Sequence, residues 1–180
     1  MPKYITIESF ERTDNHILDA LQKRIKAAFR RVASPEKLSN KELKKHLWPI
    51  VSLYIRMRDC IETTETLTHG KCCTCGKFFP IVKLGKSGNY LQAGHYQRSW
   101  KASVKYIENN IHAQCYACNC KHHGLEEIHA RFIDDKYGKG TAKTLENSAN
   151  MKTKKYANFE LIELIKYFKQ KIEVLNEKIK

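Results

Sequence analysis

The sequence is poor in the residues that mark repetitive or unfolded chains, and it lacks a long apolar run. Only 8 glycines and 4 prolines occur among 180 residues, whereas 42% of the residues are hydrophobic and 10% are aromatic. This composition excludes a collagen-like or wholly disordered chain and supplies enough apolar side chains for a core. No apolar run reaches the roughly 18 residues that a membrane span needs, and acids stand where a signal peptide would be apolar. We therefore expect one globular, cytoplasmic domain with no membrane partner.

Acidic residues are scarce beside basic ones. The chain has 33 lysines and arginines against 19 aspartates and glutamates, which gives a formal charge of +14. This charge favours a polyanionic partner, usually nucleic acid, although a ribosome-like or membrane-surface protein would show the same balance. No acid occurs from residue 66 to 107, where seven bases are found. We expect a positive surface there for a phosphodiester backbone, and the candidate DNA contacts are Lys83, Lys86, Arg98, Lys101 and Lys105.

Helical periodicity is confined to the two ends of the chain, and short strand-like pieces fill the middle. Apolar residues recur every three or four positions and predict helices at 16–32, 40–67, 125–137, 141–147 and from 156 onward. Pieces divided by glycine-rich turns predict strands at 78–84, 89–96 and 111–115. Asp14 or Asn15 would cap the first helix, and Pro49 would kink or restart the second. The predicted class is α+β, with helical regions at 1–68 and 125–180 around a core at 69–124.

Six of the seven cysteines fall in two tight clusters, which in a reducing compartment indicates metal binding. Each cluster contains a Cys-x-x-Cys pair, and 39 residues separate the two pairs, which are formed by Cys72 with Cys75 and Cys115 with Cys118. Four thiolates can close a tetrahedral structural zinc site. The alternative, two unrelated redox pairs, needs a thioredoxin-like context that the sequence lacks. Cys73 and Cys120 are interpreted as spare thiols and Cys60 as a small buried side chain.

Histidines and asparagines follow one another around the second cysteine pair at spacings typical of a nuclease. The steps from His95 to Asn110, to Asn119 and to His123 are 15, 9 and 4 positions, which resembles the ββα-metal site of the HNH nucleases. A histidine of near-neutral pKa, His95, would take a proton from the attacking water, and Asn110 would orient its ring. Asn119 and His123, on one helix face, would hold Mg²⁺ or Mn²⁺. Arg98 would clamp a phosphate.

The position before His95 departs from the HNH pattern. Many HNH nucleases place an Asp or His ligand there, whereas this chain has Gly94. The ion would then have fewer protein ligands and more waters, or Gln92, two positions back on the strand, would reach it. His122 or a residue of the following helix is an alternative to His123 as the second ligand.

Several separate motifs between residues 47 and 140 resemble the NinG/Rap recombination proteins of lambdoid phages and prophages. They are Leu47-Trp48, Tyr54 to Asp59, Cys72 to Gly76, Ala93 to Tyr96 with Arg98, and Asn110 to Asn119. The resemblance implies a dimeric, structure-specific DNA endonuclease of the bacterial host cytoplasm that cleaves Holliday junctions and D-loops. It assigns His95, Asn110 and Asn119 to the site and the four paired cysteines to zinc. The chain departs from the family at Gly124-Leu125, where a Gly-Asn pair is usual.

Two other functions fit the same residues. An HNH nuclease could nick ordinary duplex DNA, since branch specificity depends on how a dimer presents two sites. A zinc-stabilised DNA-binding module with a vestigial His95 would bind without cutting. The apolar stripe of the last helix allows a homodimer or a fold-back onto the N-terminal helices.

Overall fold

A computed structural model describes residues 7–30, 35–84, 89–151 and 154–177, without the side chains of residues 7–13 and 30. The helices are α1 (Ile7–Arg30), α2 (Asn40–Thr64), α3 (Glu126–Tyr137), α4 (Thr141–Asn150) and α5 (Asn158–Glu177). The strands are β1 (His69–Lys71), β2 (Phe78–Pro80), β3 (Leu91–His95) and β4 (Ile111–Cys115). Two 3-10 turns (Pro35–Lys37 and Glu108–Asn110) and a π-helix (Ala117–Lys121) complete the order. The predicted α+β class is confirmed.

Helix α2 is the central element of the molecule. It begins with a reciprocal capping box between Ser39 and Glu42, which satisfies amide groups at the helix start. Pro49 lies inside this one continuous helix, so of the two predicted outcomes the restart is wrong and the kink stays a prediction. The helix packs against α1, α5, β1, β3 and β4. Its central position explains why so many of its residues are fully buried, including Leu43, Leu47, Ile50 and Val51.

The last helix folds back on the chain. Helix α5 packs most extensively against α2, with the Tyr54 and Phe168 ring centroids 5.4 Å apart. Leu161, Ile165 and Ile172 of the same stripe are buried as well. Of the two alternatives for this helix, the fold-back is therefore the one observed, and the homodimer stays a prediction.

The strands form two antiparallel pairs, β1 with β2 and β3 with β4. In the second pair Gly94 lies opposite His112 and His95 opposite Ile111. Strand β4 has the predicted bounds, whereas β2 and β3 are shorter than predicted and β1 was not predicted. Strand β1 passes close to α2, where a Cβ atom at Gly70 would lie 2.8 Å from the Cys60 sulfur. Cys60 is fully buried, as predicted.

Helix α1 begins earlier than predicted. It starts at Ile7, so Asp14 and Asn15 lie inside the helix, and the prediction that one of them caps it is wrong. The reason is that no glycine or proline occurs between residues 7 and 30, so nothing local ends the helix at Asp14.

Two apolar clusters stabilise the fold. The main core contains residues from all three predicted regions, as shown by Leu21, Leu91 and Phe168, and the division into 1–68, 69–124 and 125–180 stays a prediction. The second cluster packs α3 and α4 against the segment after β3 through Tyr96, Val104, Ile133, Leu145 and Ala149. This segment runs from β3 to β4 and carries several of the predicted site residues. The second cluster therefore anchors the segment through Tyr96 and Val104.

Candidate functional site

The four paired cysteines converge on one point. The sulfur atoms of Cys72, Cys75, Cys115 and Cys118 all lie within 4.8 Å of one another, and those of Cys75 and Cys115 are 4.0 Å apart. Sulfurs around a tetrahedral zinc, at about 2.3 Å from the ion, are separated by about 3.8 Å. The cluster can therefore hold a structural metal such as zinc. Cys73 and Cys120 lie outside it, as predicted.

Hydrogen bonds to the Cys72 sulfur favour the ionised form of this thiol, which is the form that binds a metal ion. The Cys72 sulfur lies 3.2 Å from the Thr74 hydroxyl and accepts from the Cys115 amide at 3.3 Å. Burial opposes ionisation, but these donors lower the pKa of the Cys72 thiol to about 7. Burial instead raises the pKa of the Cys118 thiol to about 12. Ionisation of the Cys118 thiol at pH 7 thus needs a bound cation to offset the charge. Gly76, with φ of 68°, makes the tight turn after Cys75.

His95, at the end of β3, is held by two contacts. Its ring stacks on Trp48 with centroids 4.8 Å apart and planes at 23°, and its Nε2 lies 3.0 Å from the Lys105 carbonyl oxygen. Because a carbonyl only accepts, Nε2 carries the hydrogen and Nδ1 keeps a free lone pair. Burial lowers the pKa of His95 to about 4, although the bond to Lys105 acts in the opposite direction. The expectation of a near-neutral pKa is therefore wrong, and the ring is neutral at pH 7.

Asn110 acts on the segment after β3 and not on the ring. It is fully buried, and its Oδ1 accepts from the Gln97 amide at 2.7 Å. Its Nδ2 donates to the carbonyls of Gln97 at 2.9 Å and Val104 at 3.0 Å. The amide was predicted to orient His95 directly, but all of its described bonds go to this segment. Since Lys105 follows Val104, Asn110 fixes the carbonyl that in turn holds His95.

One open cavity contains four of the predicted site residues. It has a volume of about 330 Å³ and is lined by Ala93, His95, Arg98, Ser99, Trp100, Asn119, His123 and Gly124. Residues from β3, from the segment after it and from the π-helix region thus meet at one surface. The cavity lies beside the cysteine cluster, because Asn119 directly follows Cys118.

Asn119 and His123 both line this cavity, but they lie on different backbone structures. Asn119 lies on the π-helix, and its Nδ2 donates to Gln92 Oε1 at 2.8 Å. His123 lies beyond the end of that helix with φ of 53°, and Gly124 and Leu125 also have positive φ. The helical turn expected to join the two residues is therefore wrong. Positive φ at residues other than glycine is strained and is frequent at functional sites.

The geometry bears on two alternatives for the metal ligands, namely His122 in place of His123 and Gln92 in place of the ligand missing at Gly94. His123 lines the cavity and His122 is not among the lining residues. The Gln92 Oε1 atom accepts from Asn119 and also from the Cys120 sulfur at 3.3 Å. Gln92 is therefore engaged in holding the π-helix, and it is a poor source for the ligand that is missing at Gly94.

Of the predicted phosphate contacts, Arg98 lines the cavity, and the described ones have no acidic partner. Arg98 is exposed and stacks over the Trp100 ring at 5.0 Å, whereas Lys101 donates to Asn150 at 3.2 Å. Within the described ranges none of Lys83, Arg98, Lys101 and Lys105 pairs with a carboxylate. Lys86 lies outside the described residues. These cations are therefore available to an external anion.

Sequence reasoning gave no role to two tryptophans at the site. Trp48 stood in a motif of the family resemblance, which was the one signal available for it, and it forms the stacking wall of His95. Trp100 is 66% exposed and borders the cavity. Its position two residues after Arg98 was the only hint in the sequence.

Fold and site together define an α+β protein with two antiparallel strand pairs, a four-cysteine cluster and an adjoining polar cavity. The sequence model of the family described as "NinG: Bacteriophage Lambda NinG protein" matches residues 6–178. The chain belongs to the NinG family, as the resemblance predicted, and membership suggests a phage protein related to recombination. No match was found among curated proteins or among solved structures. None of the described helices is long and apolar enough to cross a membrane.

Proposed function

We propose that the protein is a metal-dependent DNA endonuclease of the HNH type that cleaves branched recombination intermediates, namely Holliday junctions and D-loops. The observation that carries the proposal is the cavity shared by His95, Arg98, Asn119 and His123 beside the cysteine cluster. These side chains supply a base, a phosphate-binding cation and metal ligands in the order of a ββα-metal site. Family membership supports the connection with phage recombination.

Two metals have different parts in this proposal. The four cysteines hold a structural zinc, with all four positions filled by protein. Asn119 and His123 contribute to a site for Mg²⁺ or Mn²⁺ at the cavity. The residues fit such an ion. The Asn119 Nδ2 donates to Gln92, so Oδ1 is the atom of this amide that can coordinate the ion. This oxygen lies 2.9 Å from the position that a Cβ atom at residue 94 would occupy. When bound, the ion would polarise the scissile phosphate and stabilise the leaving 3′-oxygen.

His95 is the general base. Its Nδ1 takes a proton from water as the water oxygen bonds to phosphorus and the bond from phosphorus to the 3′-oxygen breaks. The 3′-oxygen is then protonated from solvent. The bond from Nε2 to the Lys105 carbonyl keeps Nδ1 as the basic nitrogen. Trp48 covers one face of the ring, so the ring can accept the proton without changing its orientation.

The cationic surface binds the DNA backbone. Arg98 and Lys83 are exposed, and Lys101 and Lys105 lie on the segment that borders the cavity. Contacts of this kind release counterions, so binding weakens steeply with salt. In the proposal a homodimer in the cytoplasm of the bacterial host presents two such surfaces, which gives the preference for branched DNA.

The experiment that tests this function compares a four-way junction with a linear duplex of the same arms, in Mg²⁺ or Mn²⁺. Preferential, metal-dependent cleavage of the junction is expected. Equal cleavage of both substrates would favour a duplex-nicking HNH enzyme. Junction binding without cleavage in either metal would favour the DNA-binding module.

A further inference from the structure

The carbonyl oxygen of the Gln114 side chain is buried and has no hydrogen-bond partner among the described residues. Gln114 lies on β4 and is fully buried. Its Nε2 donates to the Gly124 carbonyl at 2.9 Å. A buried amide oxygen without a donor is unfavourable and is uncommon in folded proteins, so it requires an explanation.

The orientation of this amide is fixed by its surroundings. The Gly124 carbonyl can only accept a hydrogen bond. Turning the Gln114 amide over would place two oxygens against each other and would leave the amide hydrogens without that acceptor. The Gln114 Oε1 atom therefore points away from Gly124 for a chemical reason.

This oxygen points at Gly94, the position where a ligand is missing. Gly94 pairs with His112, so Gln114 lies two residues further along β4 and on the same face of the strand pair. A Cβ atom built at Gly94 would overlap Gln114 Oε1 and would lie 2.9 Å from Asn119 Oδ1. Two amide oxygens thus converge on the space that a side chain at position 94 would fill.

We infer that Gln114 Oε1 is a ligand of the divalent ion, together with Asn119 and His123, and replaces the side chain absent at Gly94. The inference rests on the proposed metal site of the nuclease. Amide oxygens are suitable ligands for Mg²⁺ and Mn²⁺. Neutral ligands bind the free ion more weakly than carboxylates do. They do not offset the charge of the ion, however, so the ion attracts the phosphate oxygens more strongly.

Gly94 and Gln114 are thereby mutually dependent. Any side chain at position 94 must displace the Gln114 amide. An aspartate there requires a small residue at 114. The double variant Gly94→Asp/Gln114→Ala moves the ligand from β4 to β3 and should bind the ion again, which neither a packing role nor a folding role of Gln114 predicts.

The test measures Mn²⁺ binding to the zinc-loaded, full-length protein by electron paramagnetic resonance, independently of cleavage. Gln114→Met keeps the approximate volume of the side chain and removes the oxygen. We expect it to bind Mn²⁺ at least tenfold more weakly, whereas Gln114→Glu binds it more tightly and Gly94→Asp/Gln114→Ala approaches the wild type. Gln170→Met, at an exposed position of α5, is the control and should leave binding unchanged. Zinc content and thermal unfolding without Mn²⁺ verify that each variant is folded.

Wild-type affinity in folded Gln114→Met would overturn the inference, and Oε1 would then be a packing feature against the Gly94 backbone. Failure to restore binding in the double variant, together with unchanged binding in Gln114→Glu, would also contradict it. These outcomes are separate from the proposed function. A wild-type protein that binds Mn²⁺ through Gln114 but cleaves no DNA would refute the nuclease and leave the ligand in place.

Discussion

The cysteine cluster and the cavity lie side by side but differ in the type of donor atom and in solvent exposure. The cluster gathers four soft sulfur donors from the loop between β1 and β2, from the end of β4 and from the π-helix, and three of its four cysteines are buried. The cavity gathers neutral oxygen and nitrogen donors, and His123 and Arg98 on its border are exposed. A site with every position filled by protein stabilises a fold, whereas a site with open positions can bind a substrate. The π-helix joins the two, since Cys118 belongs to the cluster and Asn119 to the cavity.

The largest expected effect comes from breaking the cluster. Cys72→Ser and Cys115→Ser should lose zinc, stable folding and activity together. Zinc binding to structural sites is worth about 10 to 16 kcal/mol, which is comparable to the whole stability of a domain, about 5 to 15 kcal/mol. Zinc analysis and thermal unfolding measure the outcome. Cys120→Ser, at an exposed thiol outside the cluster, is the control, and normal melting of Cys72→Ser with one zinc bound would refute the assignment.

Acidification should destabilise the fold through a buried histidine pair behind the cavity. His112 Nδ1 and His129 Nε2 are 3.1 Å apart, and both side chains are fully buried. Burial lowers the pKa of His129 to about 4, against about 6.5 in an unfolded chain. Above pH 6.5 neither state is protonated. As the pH falls from about 6.5 to 4, only the unfolded chain gains the proton, so the free energy of unfolding decreases by about 3 kcal/mol.

Urea unfolding of the zinc-loaded protein at several pH values between about 7 and 5 tests this prediction, because zinc ligation itself is lost in stronger acid. Burial also lowers the pKa of His112 and of His95, so His129→Leu should reduce the slope of stability against pH without abolishing it, whereas His16→Ala, on the exposed face of α1, should keep it. A His129→Leu protein with the wild-type slope would show that other groups are responsible.

Loss of the Asn110 side chain should weaken the support of the cavity. Asn110→Ala leaves the Gln97 amide and the carbonyls of Gln97 and Val104 without their partner. We expect a decrease of about 3 kcal/mol in the free energy of unfolding and slower cleavage, because the Lys105 carbonyl would shift. Denaturant unfolding and cleavage rates measure the two effects. The neighbouring Asn109→Ala is the control, and an Asn110→Ala protein of wild-type stability would contradict the structural role.

The smallest effect concerns Trp100. An exposed indole beside Arg98 can stack on an unpaired base, which is worth about 1 to 3 kcal/mol. Trp100→Ala should therefore weaken junction binding by roughly tenfold without changing thermal unfolding. Phe159→Ala on α5, which is 70% exposed, is the matched control. Equal effects of both variants would indicate that Trp100 has no specific contact with DNA.

Features that depend on neighbouring residues could be predicted from the sequence, whereas features that depend on packing between distant segments could not. The cysteine pairs and β4 were predicted correctly because a short spacing defines each pair and apolar and polar residues alternate along Ile111–Cys115. Strand β1 was missed, since the three residues His69–Lys71 carry no periodicity. The low pKa of His95 and its contact with Trp48 depend on burial and on packing between distant segments. Gln114 was overlooked because its position beside Gly94 follows only from the register of β3 against β4.

The most direct measurement is cleavage of a four-way junction by zinc-loaded wild-type protein and His95→Ala, with and without Mg²⁺, beside the binding affinity of both for the same junction. His95→Ala should cleave at least on the order of a hundredfold more slowly while retaining zinc, thermal stability and affinity, and His16→Ala should behave as the wild type. Undiminished, Mg²⁺-dependent cleavage by His95→Ala would show that the cavity is not the catalytic centre.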